Sequence, residues 1–167
     1  MGLHRYFCHK SFEAPKYLKW FLFLGGSSVM ATSFAEWIHD HYNHHRNLDT
    51  DKDHTNINRG FFYSHFEWAF QKRPLAYNYL LKDPFMNHIH TYYLYYFLFT
   101  TLFIPMTIGS YLSSPIHAFL ISVCLRLTSQ HNAIFSIGSF CHKKGTDENG
   151  NSLSIDNLLL ALPTFGD

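Results

Sequence analysis

Thirteen histidines stand in this 167-residue sequence, as many as its lysines and arginines together. Imidazole is the commonest metal-ligating side chain, so the surplus points first to metal. The sharpest cluster is His41-x-x-His44-His45. On a helix, positions i, i+3 and i+4 share one face. Three imidazoles then project together, enough for half of a two-metal site. His4 and His9 are five residues apart, a poor match to one face of an α-helix, and His142 stands alone. Other metal templates fit less well. The sequence has no His-Glu-x-x-His motif and no Cys-x-x-Cys pair. It has one Glu-x-x-His, Glu36 to His39, where a carboxylate-rich di-iron bundle needs two. An all-histidine cluster remains. Cys8, Cys124 and Cys141 are odd in number and follow no disulfide spacing. Cys8 and Cys141 each adjoin a histidine, either as metal ligands or as small buried thiols.

The elements that must carry these histidines are greasy. Charged residues make up 15% of the chain, against roughly 25% in soluble domains. The net charge of +1 gives no argument for nucleic acid. The opening, MGLHRYFCHKSFEAP, lacks the apolar run of a signal peptide. Tyr6 stands where a myristoylation motif needs Ser or Thr. Residues 17–38 are apolar but interrupted by Gly25-Gly26-Ser27-Ser28. Their length suits a borderline span or a helix lying against a bilayer or the protein. Residues 92–112, YYLYYFLFTTLFIPMTIGSYL, carry no charge and are long enough to span. Ser113-Ser114-Pro115 marks a turn. A second apolar segment follows over 116–140, interrupted by Arg126 and His131. Residues 143–152 read as a polar loop, and 153–162 as a short helix stopping at Pro163. The expected spans are about 91–112 and 115–138. Ten of the thirteen Lys and Arg precede residue 90, and Lys143 and Lys144 follow the second span. The positive-inside rule puts both flanks in the cytoplasm. The histidines at 4–9, 39–54 and 142 therefore share one side of the membrane.

At this point the motifs resemble a known family, the Δ9 acyl-CoA (stearoyl-CoA) desaturases. GLHRYFCHKSFEAP is similar to its first histidine box, His-Arg-x-x-x-His. EWIHDHYNHHRNLDTDKDHTNINRGFFYSHFEW resembles the second box and its continuation. Arg126 to His142 resembles the helix ending in the family's Asn-x-x-x-His pair, and LLLALPTFGD the lead-in to a third box, which is absent here. The resemblance implies an all-α, integral-membrane helical fold with a cytosolic, histidine-rich helical cap, to which residues 17–38 belong. It implies two iron ions held by His4, His9, His41, His44, His45 and His142, and molecular oxygen as co-substrate. Electrons would come from a donor of cytochrome b5 or ferredoxin type. Asp40, Asp49, Asp51 and Asp53 are candidate carboxylates for orienting imidazoles, with a solvated acidic loop the alternative for the last three. Gly138 replaces the family's usual Asn, and Tyr42 interrupts its Asp-His-Arg pattern.

The activity so implied is insertion of a cis double bond, at Δ9, into a fatty acyl-CoA or acyl-lipid. A related di-iron lipid hydroxylase, or a non-catalytic histidine-rich metal-binding membrane fragment, is the alternative. Without a third box, this piece alone is expected to be inactive. By the same resemblance, Lys72 and Arg73 attract an anionic acyl carrier; a juxtamembrane patch for lipid headgroups is the other reading. Trp37, Asn132 and Phe135 are expected to line an apolar acyl slot, with ordinary core packing the alternative. The expected setting is the endoplasmic reticulum membrane in a eukaryote or the cytoplasmic membrane in a bacterium, with the site on the cytosolic side.

Overall fold

Chain entry into the first helix is unusual. A computed structural model describes residues 2–29, 32–71, 76–112, 114–149 and 152–154. In it, Gly2–Cys8 forms a π-helix. Two α-helices follow, α1 (Lys16–Ser27) and α2 (Phe34–Arg46). Then come short α3 (Phe61–His65), α4 (Pro84–Thr91), the continuous helix α5 (Tyr93–Leu112) and α6 over 115–140. Short 3-10 helices occupy Ile57–Arg59, Glu67–Phe70 and Tyr77–Lys82. The helical expectation holds for most described residues. One departure is a two-stranded antiparallel hairpin, β1 (His142–Thr146) with β2 (Ser152–Ser154). It replaces the polar loop expected over 143–152, and Leu153–Ser154 is strand where a helix was expected. The reason is local pairing: Gly145 takes φ +100°, and its N–H donates to Asn58 Oδ1 at 2.9 Å. Residues 155–162 of the expected helix, Ser113 of the turn, Lys72, Arg73 and the run LLLALPTFGD lie outside the described residues.

The chain divides into two units, residues 1–39 with 76–130, and 40–75 with 131–167. The first unit has an aromatic core. Phe23 and Phe34 are fully buried, 4.9 Å apart in edge contact. Phe7 meets Phe34 at 5.1 Å, and Phe23 meets Tyr96 at 4.9 Å. Such ring pairs add about 0.5–1.5 kcal/mol beyond the area they bury. Helix α1 runs through Gly25 and Gly26 and ends at Ser27, and the missing side chain of Gly26 lets the Phe34 ring approach. A Cβ there would meet Phe34 Cζ at 2.8 Å. Helix α2 starts at a reciprocal capping box. Glu36 N donates to Ser33 Oγ at 3.3 Å, and Ser33 N donates to Glu36 Oε2 at 3.2 Å. Glu36 is thus a cap residue, which accounts for the lone Glu-x-x-His.

Among the described residues, α5 is the one helix long and apolar enough to cross a membrane. Its 20 residues span about 30 Å, the thickness of a hydrocarbon core. Leu94, Phe103, Ile108 and Tyr111 are exposed. Helix α6 begins at Ser114, whose hydroxyl accepts from His117 N, with Pro115 in the first turn. It packs on α5 through small residues. A Cβ on Gly109 would meet Ala118 Cβ at 2.7 Å, whereas one on Gly25 meets nothing within 4 Å. Gly109→Ala is therefore expected to destabilise by about 1–3 kcal/mol. Gly25→Ala, in a helix interior, should be neutral or stabilising by up to about 1 kcal/mol. Thermal midpoints of the two variants test this, and equal shifts of the same sign would refute the packing argument.

The second unit is held by polar contacts. Ser64 Oγ donates to Gly138 O at 2.8 Å, and His65 Nδ1 lies 2.8 Å from Ser139 Oγ. Trp68 and Phe135 meet at 5.6 Å. Asp53, Asn56, Ile57 and Ser64 are buried.

Candidate metal centre

The five-residue spacing of His4 and His9 becomes one turn when the helix widens. In the π-helix the hydrogen bond runs from residue i+5 to residue i, and His9 N donates to His4 O at 3.0 Å. Both imidazoles therefore leave the same face, with Nε2 atoms 3.0 Å apart and rings at 86°. Phe7 and Cys8 of the same turn are buried. The α-helical argument against this pair fails because the local helix is not α. Buried Cys8 fits the small-thiol reading.

In the second unit, His41 and His45 repeat the motif one α-turn apart. Their Nε2 atoms are 3.0 Å apart and their rings lie at 87°. His44 sits beside them, its ring 5.7 Å from that of His45 and 5.4 Å from that of His142. His142 reaches this position as the first residue of β1.

The acidic loop 49–53 is not simply solvated. Asp53 is fully buried and Asp49 nearly so. Asp49 takes φ +54°, a conformation that aspartate tolerates better than most residues. Its carboxylate lies 2.9 Å from His142 Nδ1, and its backbone oxygen accepts from Asn58 Nδ2. Asp53 Oδ2 lies 2.9 Å from His44 Nδ1 and accepts from Asp49 N, while its Oδ1 accepts from Thr55 N and Thr55 Oγ1. Burial alone would push the Asp53 carboxyl up. The hydrogen bond and charge of His44, with the Thr55 and Asp49 N–H groups, outweigh it and hold the carboxyl below its ordinary value. A carboxylate on Nδ1 fixes the proton there and leaves Nε2 with its lone pair. His44 and His142 are both so arranged. Asp51 is exposed, its carbonyl accepting from Arg59 Nη2, so the solvated reading applies to it. Asp40 is buried.

These donor sets fit a transition metal. Two cis ligands about 2.1 Å from one ion stand about 3.0 Å apart, which is the separation in both pairs. Neutral imidazole suits iron, copper, zinc and nickel alike, so the geometry specifies nitrogen ligation rather than the element.

The remaining expected residues distribute unevenly. Asn132 and Phe135 come together with two residues not singled out from sequence, His65 and Trp68. His65 Nε2 is 3.4 Å from Asn132 Oδ1, and Phe135 packs on both rings. Trp37 belongs to the other unit. Thr55 was also missed; its spacing from Asp53, an aspartate turn closing on residue i+2, is the signal that marks it. A Cβ on Gly138 would sit 3.4 Å from Ser64 Oγ, an ordinary contact, so an asparagine stem fits there.

No family model matches the sequence. Individual proteins do. The chain is 33% identical to a probable acyl-CoA desaturase of Schizosaccharomyces pombe, over 99% of this chain and 36% of that protein. It is 29% identical to stearoyl-CoA desaturase 5 of Homo sapiens, over 99% of this chain and 54% of that one. It is 32% identical to the sn-1 stearoyl-lipid 9-desaturase of Anabaena variabilis, over 57% of this chain and 37% of that one. The chain thus spans between 36% and 54% of these relatives' own length.

Proposed function

Because the chain belongs to the fatty-acyl desaturase family, we propose that the full-length protein is an oxygen-dependent membrane desaturase. It would introduce a cis double bond, at Δ9, into a fatty acyl-CoA or acyl-lipid. The observation that carries this reading is the pair of matched imidazole couples, each with Nε2 atoms 3.0 Å apart, on a chain whose relatives bear desaturase names. His4, His9, His41, His44, His45 and His142 are the proposed ligands of two irons. When bound, the irons would supply activation of oxygen for removing hydrogen from an unactivated methylene.

The chain's own residues have separate tasks. Asp53 and Asp49 hold His44 and His142 in the tautomer that leaves Nε2 free for metal. The π-turn gives His4 and His9 a common direction. Asn132 and Phe135, with Trp37, are proposed to line the acyl slot, and Lys72 with Arg73 to attract an anionic acyl carrier. Helix α5 and the 115–138 segment of α6 are the proposed spans, their flanks and the histidines on the cytosolic side of the endoplasmic reticulum or cytoplasmic membrane. A cytochrome b5- or ferredoxin-type protein is the proposed electron donor.

Fatty acids from a desaturase-deficient host expressing the full-length gene test the reaction. Δ9-monounsaturated acids are the expected product. Hydroxylated acids would support the di-iron hydroxylase instead, and an unchanged profile with iron bound would overturn the catalytic reading. Charge reversal at both Lys72 and Arg73 is expected to raise the Michaelis constant for acyl-CoA about tenfold or more, by loss of steering. An unchanged constant would favour lipid headgroups as their partner.

A further inference from the structure

The side chain of Asn58 bonds to no histidine among the described residues, but it joins the two chain segments that bring one proposed ligand to its carboxylate. We propose that Asn58 is a positioning residue for the metal centre. It ties the 49–53 loop to strand β1, and so holds His142 against Asp49. The proposal rests on the reading of His142 as a metal ligand and deepens it, by naming what places that ligand.

His142 cannot reach Asp49 by local spacing, since 93 residues separate them. It opens β1, whose ladder partner, Ser152–Ser154, is close in sequence. The hairpin must therefore be directed to the loop by contacts outside its own ladder. Strand β1 lies against the Ile57–Arg59 turn, and two hydrogen bonds fix it there. His142 Nδ1 lies 2.9 Å from Asp49 Oδ2, and Gly145 N donates to Asn58 Oδ1 at 2.9 Å. The ladder slips register between Lys143 and Thr146. Gly145 stands in this slip at φ +100°, a conformation that glycine adopts at no steric cost. Its N–H is given to Asn58. Two attachments three residues apart hold the strand in one orientation, whereas the His142 contact alone would let it pivot.

The other end of Asn58 acts on the loop. Its Nδ2 donates to Asp49 O at 2.8 Å. Asp49 takes φ +54°, which few residues other than glycine do. That backbone turn sends Oδ2 to His142 and lets Oδ1 accept from Ile57 N at 3.4 Å. Asn58 is itself held: its N donates to Asn56 Oδ1 at 2.8 Å. Buried Asn56 in turn donates from Nδ2 to Thr50 O at 2.7 Å. The two ends of the Asn58 amide cannot exchange places. Gly145 N–H only donates and the Asp49 carbonyl only accepts, so the bridge needs one acceptor and one donor on a single short stem. Aspartate lacks the donor, and alanine lacks both.

Asn58 is exposed, so water can replace each lost bond, and the fold should survive its substitution. The effect should appear as looser placement of His142. Loss of a ligand's own outer partner typically costs about 10- to 100-fold in metal affinity. Asn58 stands one step further out, and a smaller change is expected.

Ferrous-ion titration of the metal-stripped full-length protein tests this, in a double-mutant cycle with His142→Ala. Circular dichroism monitors the fold. If Asn58→Ala does not fold, Asn58→Asp takes its place with the same expectation, because it keeps the acceptor for Gly145 N–H and loses the donor to Asp49 O. In the native background, the substitution is expected to raise the iron dissociation constant about threefold to tenfold. With His142 already changed to alanine, it should alter the constant by less than about 1.5-fold, since the residue it positions is gone. An equal effect in both backgrounds would make Asn58 a general structural residue and overturn the proposal. So would a native constant for the Asn58 variant while His142→Ala binds iron weakly. Native iron affinity in His142→Ala would instead overturn the ligand reading, and the proposal with it.

Discussion

In the full-length protein, His44→Ala is expected to lower bound iron to a small fraction of the native content and to abolish desaturation. His44 sits between two other histidines, its ring 5.7 Å from His45 and 5.4 Å from His142. Its Nδ1 is held by Asp53 and Thr55, at 2.9 and 2.8 Å. Loss of an outer partner alone typically costs about 10- to 100-fold in metal affinity, so loss of the ligand itself should exceed about 100-fold. The substitution also leaves the buried Asp53 carboxylate without the His44 hydrogen bond, which adds a stability loss of about 1–3 kcal/mol. His117→Ala is the control. His117 is exposed at the start of α6 and touches Ser114, so iron and activity should stay near native. His65 and His90 also lie outside the ligand motifs, but each is hydrogen-bonded to a buried serine, Ser139 and Ser33. Their alanine variants should lose stability while keeping iron. Iron per protein by mass spectrometry and unsaturated product by gas chromatography are the measurements. Native iron and native product from His44→Ala would rule out the di-iron assignment.

Asp53→Asn, a change of one atom, is expected to be nearly as damaging to metal binding. Every acceptor position of Asp53 is used, and both oxygens face a backbone N–H. Oδ2 faces Asp49 N, and Oδ1 faces Thr55 N, each at 2.9 Å. Whichever way an asparagine turns, its NH2 meets one of these donors, at a cost of about 1–3 kcal/mol. If the NH2 replaces Oδ2, it also opposes the Nδ1 proton of His44. The imidazole must then carry its proton on Nε2, the atom required for metal. Iron affinity should fall about 10- to 100-fold with the fold intact. Metal titration of the apoprotein, with circular dichroism as the control for folding, measures the effect. An affinity within about twofold of native would show that Asp53 does not set the His44 tautomer.

Several features were legible without a structure because they depend on short-range spacing. His41, His44 and His45 share a face by the 3.6-residue period, and residues 93–112 are helical over a length that hydropathy alone indicates. The caps of α2, α4 and α6 use equally local spacing, although only the Ser114-Pro115 turn was read from sequence: Ser33 with Glu36, Asp83 with Pro84, and Ser114 with Pro115. The resemblance to the desaturases rests on the same strings of residues. What only the tertiary structure decided depends on departures from ideal periodicity and on partners distant in sequence. The pairing of His4 with His9 needs a π-turn, whose hydrogen-bond register no residue type announces. Asp49 and Asp53 read equally as imidazole-orienting carboxylates or as a solvated acidic run until the fold buries them and brings His142 to Asp49 across 93 residues. Arg126 reads as an interruption of an apolar segment until Ser28, 98 residues earlier, is found at its guanidinium. Sequence fixes what each side chain can donate or accept. Burial removes the competing water, and the fold then decides which partner it finds.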